Sequence, residues 1–393
     1  MLIREVVIVS AQRTPIGSFQ GVFNEVKTTA LGSVAIKGAL DAIKLSADTI
    51  DEVYMGCVLP AGLGQAPARQ AALSAGIAKN TPCTTVNKVC GSGMKAIMLG
   101  IDQLQLGHTK TIVAGGMESM TNAPYLLPKA RGGYRLGHGK IFDHMFLDGL
   151  EDAYTEGGVM GVFAEATADK YGFSREAQDA FATESSHRAI KAVQSGVFKG
   201  EISPVTLSSR KGDIVISEDE TPGKVNPEKI PQLKPAFKKD GTVTAANSSS
   251  ISDGAAAVVL MEKEYAEKAG HKILASVKGH ATFAHEPEWF TTAPVGAIQK
   301  LCDQIGWSIN DVDLFEINEA FAVVTMAAMK DLTIPHEKIN IYGGACALGH
   351  PIGASGARLV VTLVHALRTT GKKKGIASLC LGGGEAVAIA VEI

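Results

Sequence analysis

The sequence predicts an α/β protein built from two similar βαβ halves, with an extra segment inserted into the first. Three observations predict it. Blocks of apolar and small residues recur at one offset, strand-like and helix-like patterns alternate within each half, and composition changes between about residues 121 and 246.

The repeat rests on two pairs of blocks. Ala39–Ile43 leads through Ser46 and Ile50–Val53 to Gly56. Leu301–Ile305 leads through Ser308 and Val312–Phe315 to Asn318, an offset of 262 residues (39 to 301). Cys90–Ala96 then opens a helical pattern, followed by the strand-like Thr111–Ala114 and Gly115-Gly116. Gly353–Leu359 opens another, followed by Ile376–Cys380 and Gly382–Gly384. Two matched blocks in the same order point to a duplication. The alternation implies parallel βαβ units with right-handed crossovers. The unbroken apolar runs Glu5–Ser10 and Ala255–Met261 suit strands covered on both faces.

Residues 121–246 have no counterpart in the second half. The stretch is dense in Pro, Gly and charge, as at Pro128–Gly133, and it carries an amphipathic helix over Ser174–Ser195. Ser174, with Glu176 and Gln178 close behind, is a helix-start signal. The expected division is 1–120 with 247–270 as the first half, 121–246 as the insertion and 271–393 as the second half. The insertion is expected to shape substrate access, with a structural lid or an oligomer arm as the alternative.

Composition limits the partners. The 393 residues are 46% apolar and 20% charged, against a usual ~25% charged, which excludes wholesale disorder. Lys+Arg number 38 and Asp+Glu 40, a net charge of −2 with no electrostatic footprint for nucleic acid or an anionic membrane. Six Cys with no CxxC pair make neither a disulfide scaffold nor a structural zinc site. The opening MLIREVVIVSAQRTPIG does not read as a signal peptide, and no stretch approaches the ~20 apolar residues of a membrane span. The expectation is a soluble protein of a reducing compartment, the cytoplasm.

Four residues stand out for chemistry. Cys90 follows the β-like Thr84–Val89 and directly precedes Gly-Ser-Gly and a helix. Unpaired N–H groups and the positive dipole end favour a thiolate there, hence a nucleophile; a buried, inert Cys is the competing reading. His350 lies between Gly349 and Pro351, on a loop entering the helix at Ser355-Gly356. The repeat places it at the counterpart of the Cys90 turn, where a base is needed; otherwise it is a surface His. Cys380 ends a strand ahead of Leu381-Gly382-Gly383-Gly384, whose N–H groups suit an oxyanion nest, or simply a turn. Asn318 closes the strand Asp313–Ile317, and read locally it is an N-cap for the next helix. Sites on parallel sheets form at the carboxyl ends of strands, so the four cluster by topology. Two thiols, an imidazole and an amide suit acyl transfer through a thioester.

These residues sit in longer motifs. VNKVCGSGMKA around Cys90, GGMESM at 115–120, TVTAANSSSISDGAAAV at 242–258, NEAFA at 318–322, GGACALGHPIGASGAR at 343–358 and CLGGGEA at 380–386 resemble the thiolase superfamily over essentially the whole chain. The CLGGG and VNKVCGSGMKA motifs look more like its acetoacetyl-CoA (biosynthetic) branch. The resemblance implies a five-layered αβαβα fold with a CoA-binding loop domain in the first half. It also implies a reversible Claisen condensation of two acetyl-CoA to acetoacetyl-CoA and CoA, by a ping-pong acetyl-Cys route in lipid metabolism. A broader 3-ketoacyl-CoA thiolase of fatty acid β-oxidation is the alternative.

Carried over residue by residue, the resemblance makes Cys90 the nucleophile and His350 its activator. Cys380 becomes the general acid/base, and Asn318 holds a water that, with His350, meets the enolate oxygen. The backbone N–H groups of Cys90 and Gly382 become the oxyanion hole. Ser249, Leu150, Met160, Phe321 and Phe290 become substrate and CoA contacts. The resemblance further implies a homotetramer, a dimer of dimers. It implies no cofactor or metal, because the thioester is already activated. The chain departs from the family at Val159, where the biosynthetic branch usually carries His, and this bears on acyl-chain preference. The neighbourhood of Phe290, Glu286–Phe290, resembles mitochondrial-type members, some of which take 2-methyl-branched substrates and respond to K⁺. Both traits stay open.

Overall fold

The first apolar run becomes strand β1 (Val6–Arg13), and its alternation explains why it is apolar throughout. Val6 and Ile8 join one buried cluster, while Val7 and Val9 join another on the opposite face. The computed structural model describes residues 3–155, 157–210 and 212–393. Met1 and Leu2, at the start of the expected first half, and Glu156 and Lys211, in the expected insertion, lie outside the described residues.

The remaining main strands are β2 (Glu52–Gly56), β3 (Cys83–Val86), β4 (Thr111–Ser119), β5 (Ser252–Glu262), β6 (Ala275–Ala284), β7 (Leu314–Ile317), β8 (Lys374–Leu381) and β9 (Glu385–Glu392). They lie side by side in the order β7-β8-β9-β6-β1-β5-β4-β2-β3, with the short Gly17–Ser18 strand on β5. The two halves meet at a narrow seam, where Val7 and Ile8 of β1 pair with Ser276 and Ala275 of β6. On either side of it the pattern recurs. β2 runs parallel to β4, which is antiparallel to β5, which is antiparallel to β1. Likewise β7 runs parallel to β8, which is antiparallel to β9, which is antiparallel to β6. A parallel bridge from Phe315 to Ile339 stands where β3 flanks β2 in the first half.

Each half is therefore mixed, where the sequence predicted parallel units throughout. The reason is visible at β8 and β9. Only Gly382–Gly384 separate them, and a parallel pair needs a crossover of a dozen or more residues.

Helix α3 (Ser92–Leu106) and its repeat-mate α9 (Ile352–Thr370) pack together between the sheet halves. Ile97 and Ile101 of α3, Leu359 and Leu363 of α9, Ile112 and Val258 from one side and Leu379 and Ile389 from the other form one buried cluster. Helices α1 (Thr28–Asp41) and α2 (Pro67–Ser74) cover the outer face of the first half. The second half is covered by α6 (Ala293–Ile305) and α7 (Ala322–Asp331). The stack is helix, sheet, helix, sheet, helix. The central pair touches backbone to backbone: a Cβ on Gly93 would lie 2.9 Å from Ala357 N, and one on Gly356 would lie 2.5 Å from Met94 N.

Among the described residues, 121–246 add no strand to this sheet. They form two small ribbons, Tyr125–Leu126 with Phe142–Asp143 and Val205–Ser209 with Gly212–Ile216, together with helices α4 (Met160–Tyr171) and α5 (Arg175–Ser195). Ser174 caps α5 as its sequence indicates, its Oγ accepting from Ala177 N at 3.2 Å. Buried Arg13 on β1 ties the segment down. Its guanidinium donates to both Asp219 oxygens at 2.7 and 2.9 Å and to Glu201 at 2.5 Å. Among the described residues no helix is long and apolar enough to cross a membrane, and no cluster of His, Cys, Asp and Glu could hold a metal ion.

Candidate active site

The turn carrying Cys90 is built by its own polar side chains. Asn87 Oδ1 accepts from Val89 N, and Ser92 Oγ accepts from Lys88 N while donating to Val89 O. This forces Val89 to φ +45, a left-handed conformation that costs a β-branched residue on the order of 1–3 kcal/mol. The turn then delivers Cys90 just ahead of α3, with Gly91 as N-cap. Gly91 packs closely, since a Cβ there would lie 2.4 Å from the tip of the Leu381 side chain of β8, which would have to shift. An ion pair between Lys88 and Glu385 closes the same junction.

His350 arrives from the other half. It follows α8 (Ala345–Leu348), and Pro351 directs it into the start of α9. Its backbone N–H donates to Ser250 O at 3.0 Å. Its Nδ1 lies 2.6 Å from Ser355 Oγ, and that hydroxyl donates to Pro351 O at 2.9 Å. The hydroxyl proton is thus spent, so Nδ1 carries the imidazole proton and donates it to Oγ. Nε2 is left bare, and it accepts from Asn318 Nδ2 at 3.4 Å. Burial, with the charge of Arg358, lowers the imidazole to about 3, so it is neutral at rest.

Both thiols are desolvated. Cys90 keeps some exposure toward the cavity, yet burial pushes its thiol up to about 11 against the opposing pull of the Gly382 and Cys90 N–H groups. The sequence reading of a resting thiolate is therefore corrected. Only two N–H donors face the sulfur, and they do not offset its loss of water. Burial and the neighbouring Cys90 push Cys380 well above the usual thiol range, so it is also protonated at rest.

Asn318 is fully buried at the end of β7, its N–H donating to Ser378 O at 3.0 Å. It does not cap the next helix as its local sequence suggests. Helix α7 begins four residues later at Ala322, with Phe321 before it. The amide is thereby free to face His350, and its Oδ1 has no protein hydrogen-bond partner among the described residues.

Cys90, His350, Cys380 and Gly382 line one cavity of about 380 Å³ with Ser249, Leu150, Met160, Phe321 and Phe290. Such a volume is in the range of small-molecule sites. Asn318 lies behind it, against His350. Phe237 meets Phe321 edge-on at 6.0 Å, and Phe290 meets Phe321 at 6.5 Å, so three rings shape the apolar wall. Backbone bonds fix the Ser248–Ser250 strip, with Ser249 N donating to Ala320 O at 2.9 Å. The sequence reading missed Phe237 and Ser355. Ser355 had a signal, standing within one helical turn of His350 in the same motif, while Phe237 lies in the Lys- and Pro-rich insertion with none.

The sequence profile "Thiolase, N-terminal domain" matches residues 6–264, and "Thiolase, C-terminal domain" matches 271–393. The chain belongs to the thiolase family. Among similar proteins, acetyl-CoA acetyltransferase 1 of Arabidopsis thaliana is 49% identical over 392 residues, covering 99% of this chain and 94% of that one. The acetyl-CoA acetyltransferase of Escherichia coli (strain K12) is 49% identical over 389 residues, 98% of each. The structure of acetyl-CoA acetyltransferase from Syntrophomonas wolfei superposes with a TM-score of 0.96 at 40% identity, covering 99% of both chains. That of the Acat5 thiolase from Ascaris suum in complex with coenzyme A gives 0.93 at 44% identity, covering 99% of this chain and 100% of that one. The stack of helix and sheet layers described above is thus the thiolase fold, and Val159 lines the cavity of this thiolase beside Met160.

Proposed function

We propose that this thiolase is an acetyl-CoA C-acetyltransferase, an acyltransferase that reversibly condenses two acetyl-CoA into acetoacetyl-CoA and CoA. The observation that carries the reading is the meeting of two thiols and a bare imidazole nitrogen, contributed by opposite halves, in one largely apolar cavity. Cys90 Sγ attacks the thioester carbonyl as its proton passes to His350 Nε2. The Cys90 and Gly382 N–H groups receive the oxyanion. The carbon–sulfur bond to CoA breaks, and the Cys380 thiol protonates the departing sulfur. Burial keeps this thiol protonated at rest, so it has a proton to give, and makes the thiolate it leaves a strong base. The resulting Cys380 thiolate removes a methyl proton from the second acetyl-CoA. The enolate oxygen is met by the His350 Nε2–H and by a water on Asn318, whose buried Oδ1 wants a partner. The carbanion attacks the acetyl group, and Cys90 leaves, recovering its proton from His350. The proton lent to His350 returns to Cys90, the methyl proton replaces the one that Cys380 gave to CoA, and all three side chains end as they began.

Ser249, Leu150 and Met160 would contact the pantetheine arm, with Phe290 and Phe321 beside the acyl group. The names of the relatives favour acetyl-CoA over longer 3-ketoacyl substrates; the apolar Val159 is the feature to watch. We also infer a homotetramer, for which the arm around residues 125–141 speaks: Tyr125 and Leu127 are exposed, as are Leu136 and Ile141. The six cysteines, all free, suit a reducing compartment such as the cytoplasm. The division 1–120 with 247–270, 121–246 and 271–393 agrees with the recurring strand order. The test is mass spectrometry after brief exposure to acetyl-CoA, with acetyl expected on the Cys90 peptide. Label elsewhere, or comparable turnover of C4 and C10 3-ketoacyl-CoA, would overturn the reading.

A further inference from the structure

Glu118, in the GGMESM motif at the end of β4, is fully buried and has no part in the chemistry above. Its carboxylate nonetheless spans the junction of the two halves. Oε2 accepts from Gly353 N at 3.0 Å and from Val58 N at 2.9 Å. Oε1 accepts from Leu59 N at 3.3 Å and from the Cys57 thiol at 3.6 Å. Gly353 is the second residue of α9, three residues after His350, at the positive end of a 19-residue helix where an anion is favoured. Val58 and Leu59 pack in a buried cluster with Ile352, and Cys90 and Leu150 lean on it.

The contact leaves no slack. A Cβ on Gly353 would lie 2.6 Å from Glu118 Oε2 and 2.8 Å from Met117 O, and one on Gly116 would lie 2.1 Å from Gly353 O. Strand β4 and the first turn of α9 therefore touch through backbone. Burial raises the Glu118 carboxyl to about 7 against the pull of its donors, and it joins the β2–α2 connection of the first half to the His350 arm of the second.

We propose that Glu118 is a positioning residue for the reaction, clamping the start of α9 to the floor behind Cys90 so that His350 stays in register with the sulfur it serves. This rests on the reading that His350 takes the proton of Cys90. Ser355 fixes the ring's tautomer and Asn318 its far edge, but both move with or against the arm they face. Glu118 is what sets the arm itself against the half that carries the nucleophile. An angstrom of drift there separates base from thiol.

The experiment is single-turnover acetylation of Cys90 by acetyl-CoA, read by mass spectrometry over a range of substrate concentrations. It compares the intact protein with Glu118→Gln and Glu118→Asp. The first keeps the shape but turns an amide NH₂ toward donors. The second keeps the carboxyl group but withdraws it by a methylene. Both are expected to lower the limiting rate by roughly 10- to 100-fold while the half-saturating concentration stays within about twofold, the signature of an interaction felt in the transition state. If the unaltered protein is not acetylated at Cys90, the underlying reading fails rather than the role of Glu118. If it is acetylated and both variants match its limiting rate within about twofold, or only half-saturation changes, the clamp is refuted. Circular dichroism accompanies each variant; failure of both to fold would assign Glu118 to the core alone and also refute it.

Discussion

Replacing Ser355 with Ala isolates the feature on which the proton path depends. Ser355 Oγ accepts from His350 Nδ1 at 2.6 Å and passes its own proton to Pro351 O at 2.9 Å, and the residue is fully buried. Without it, Nδ1–H has no acceptor in a site closed to bulk water. An unsatisfied buried donor costs about 1–3 kcal/mol, and the loss grows when the ring becomes a cation, because hydrogen bonds to charged groups are worth about 1.5–3 kcal/mol. The resting ring is neutral, and it gains charge only as Cys90 attacks. The larger part of the loss therefore falls on the transition state. At tenfold per 1.36 kcal/mol, Ser355→Ala should slow Cys90 acetylation about 10- to 150-fold. The assay is rapid-quench mass spectrometry of the Cys90 peptide with saturating acetyl-CoA, alongside Ser355→Thr, which retains a hydroxyl and should recover part of the rate. Acetylation of Ser355→Ala at the unaltered rate would show that the Nδ1 bond does not set the tautomer, and the route from Cys90 to Nε2 would have to be redrawn.

Other outcomes follow from the same geometry. With its thiol at about 11, Cys90 is ionised to roughly one part in 10⁴ at pH 7. Its alkylation by iodoacetamide, read on its own peptide, should therefore climb nearly tenfold per pH unit from 7 to 10. A plateau below pH 8 would instead mean a resting thiolate. Cys380→Ser should leave Cys90 acetylation largely intact but suppress condensation by roughly 10²- to 10⁴-fold; an equal fall in both half-reactions would remove Cys380 from the enolisation step. Gly93→Ala places a Cβ 2.9 Å from Ala357 N between the two central helices, and backbone cannot step aside. It should cost about 1–3 kcal/mol, measured as a lower urea midpoint. An unchanged midpoint would mean that the α3–α9 contact is looser than described.

How the sequence fared differs from element to element. The repeat was legible because a duplicated βαβ frame repeats its small-residue demands. Gly93 and Gly356 are spaced alike since each meets the other helix's backbone. The helix at Ser174 was legible from its amphipathic pattern and its cap. The direction of β9 was not, because alternation of patterns does not reveal which way a strand returns. The length of the Gly382–Gly384 turn decided it.

The identities and order of Cys90, His350, Cys380 and Asn318 were the chain's own disclosure, since thioester chemistry needs those atoms and local motifs deliver them to strand ends and helix starts. Their protonation was a tertiary matter. The dipole argument for a Cys90 thiolate is local, whereas desolvation comes from cavity walls hundreds of residues away in the chain, and it dominates. The hydrogen bonds of Glu118 belong to the same class. No pattern in GGMESM announces that its carboxylate will meet Val58 and Gly353, because only the packing of one half on the other brings those N–H groups within reach.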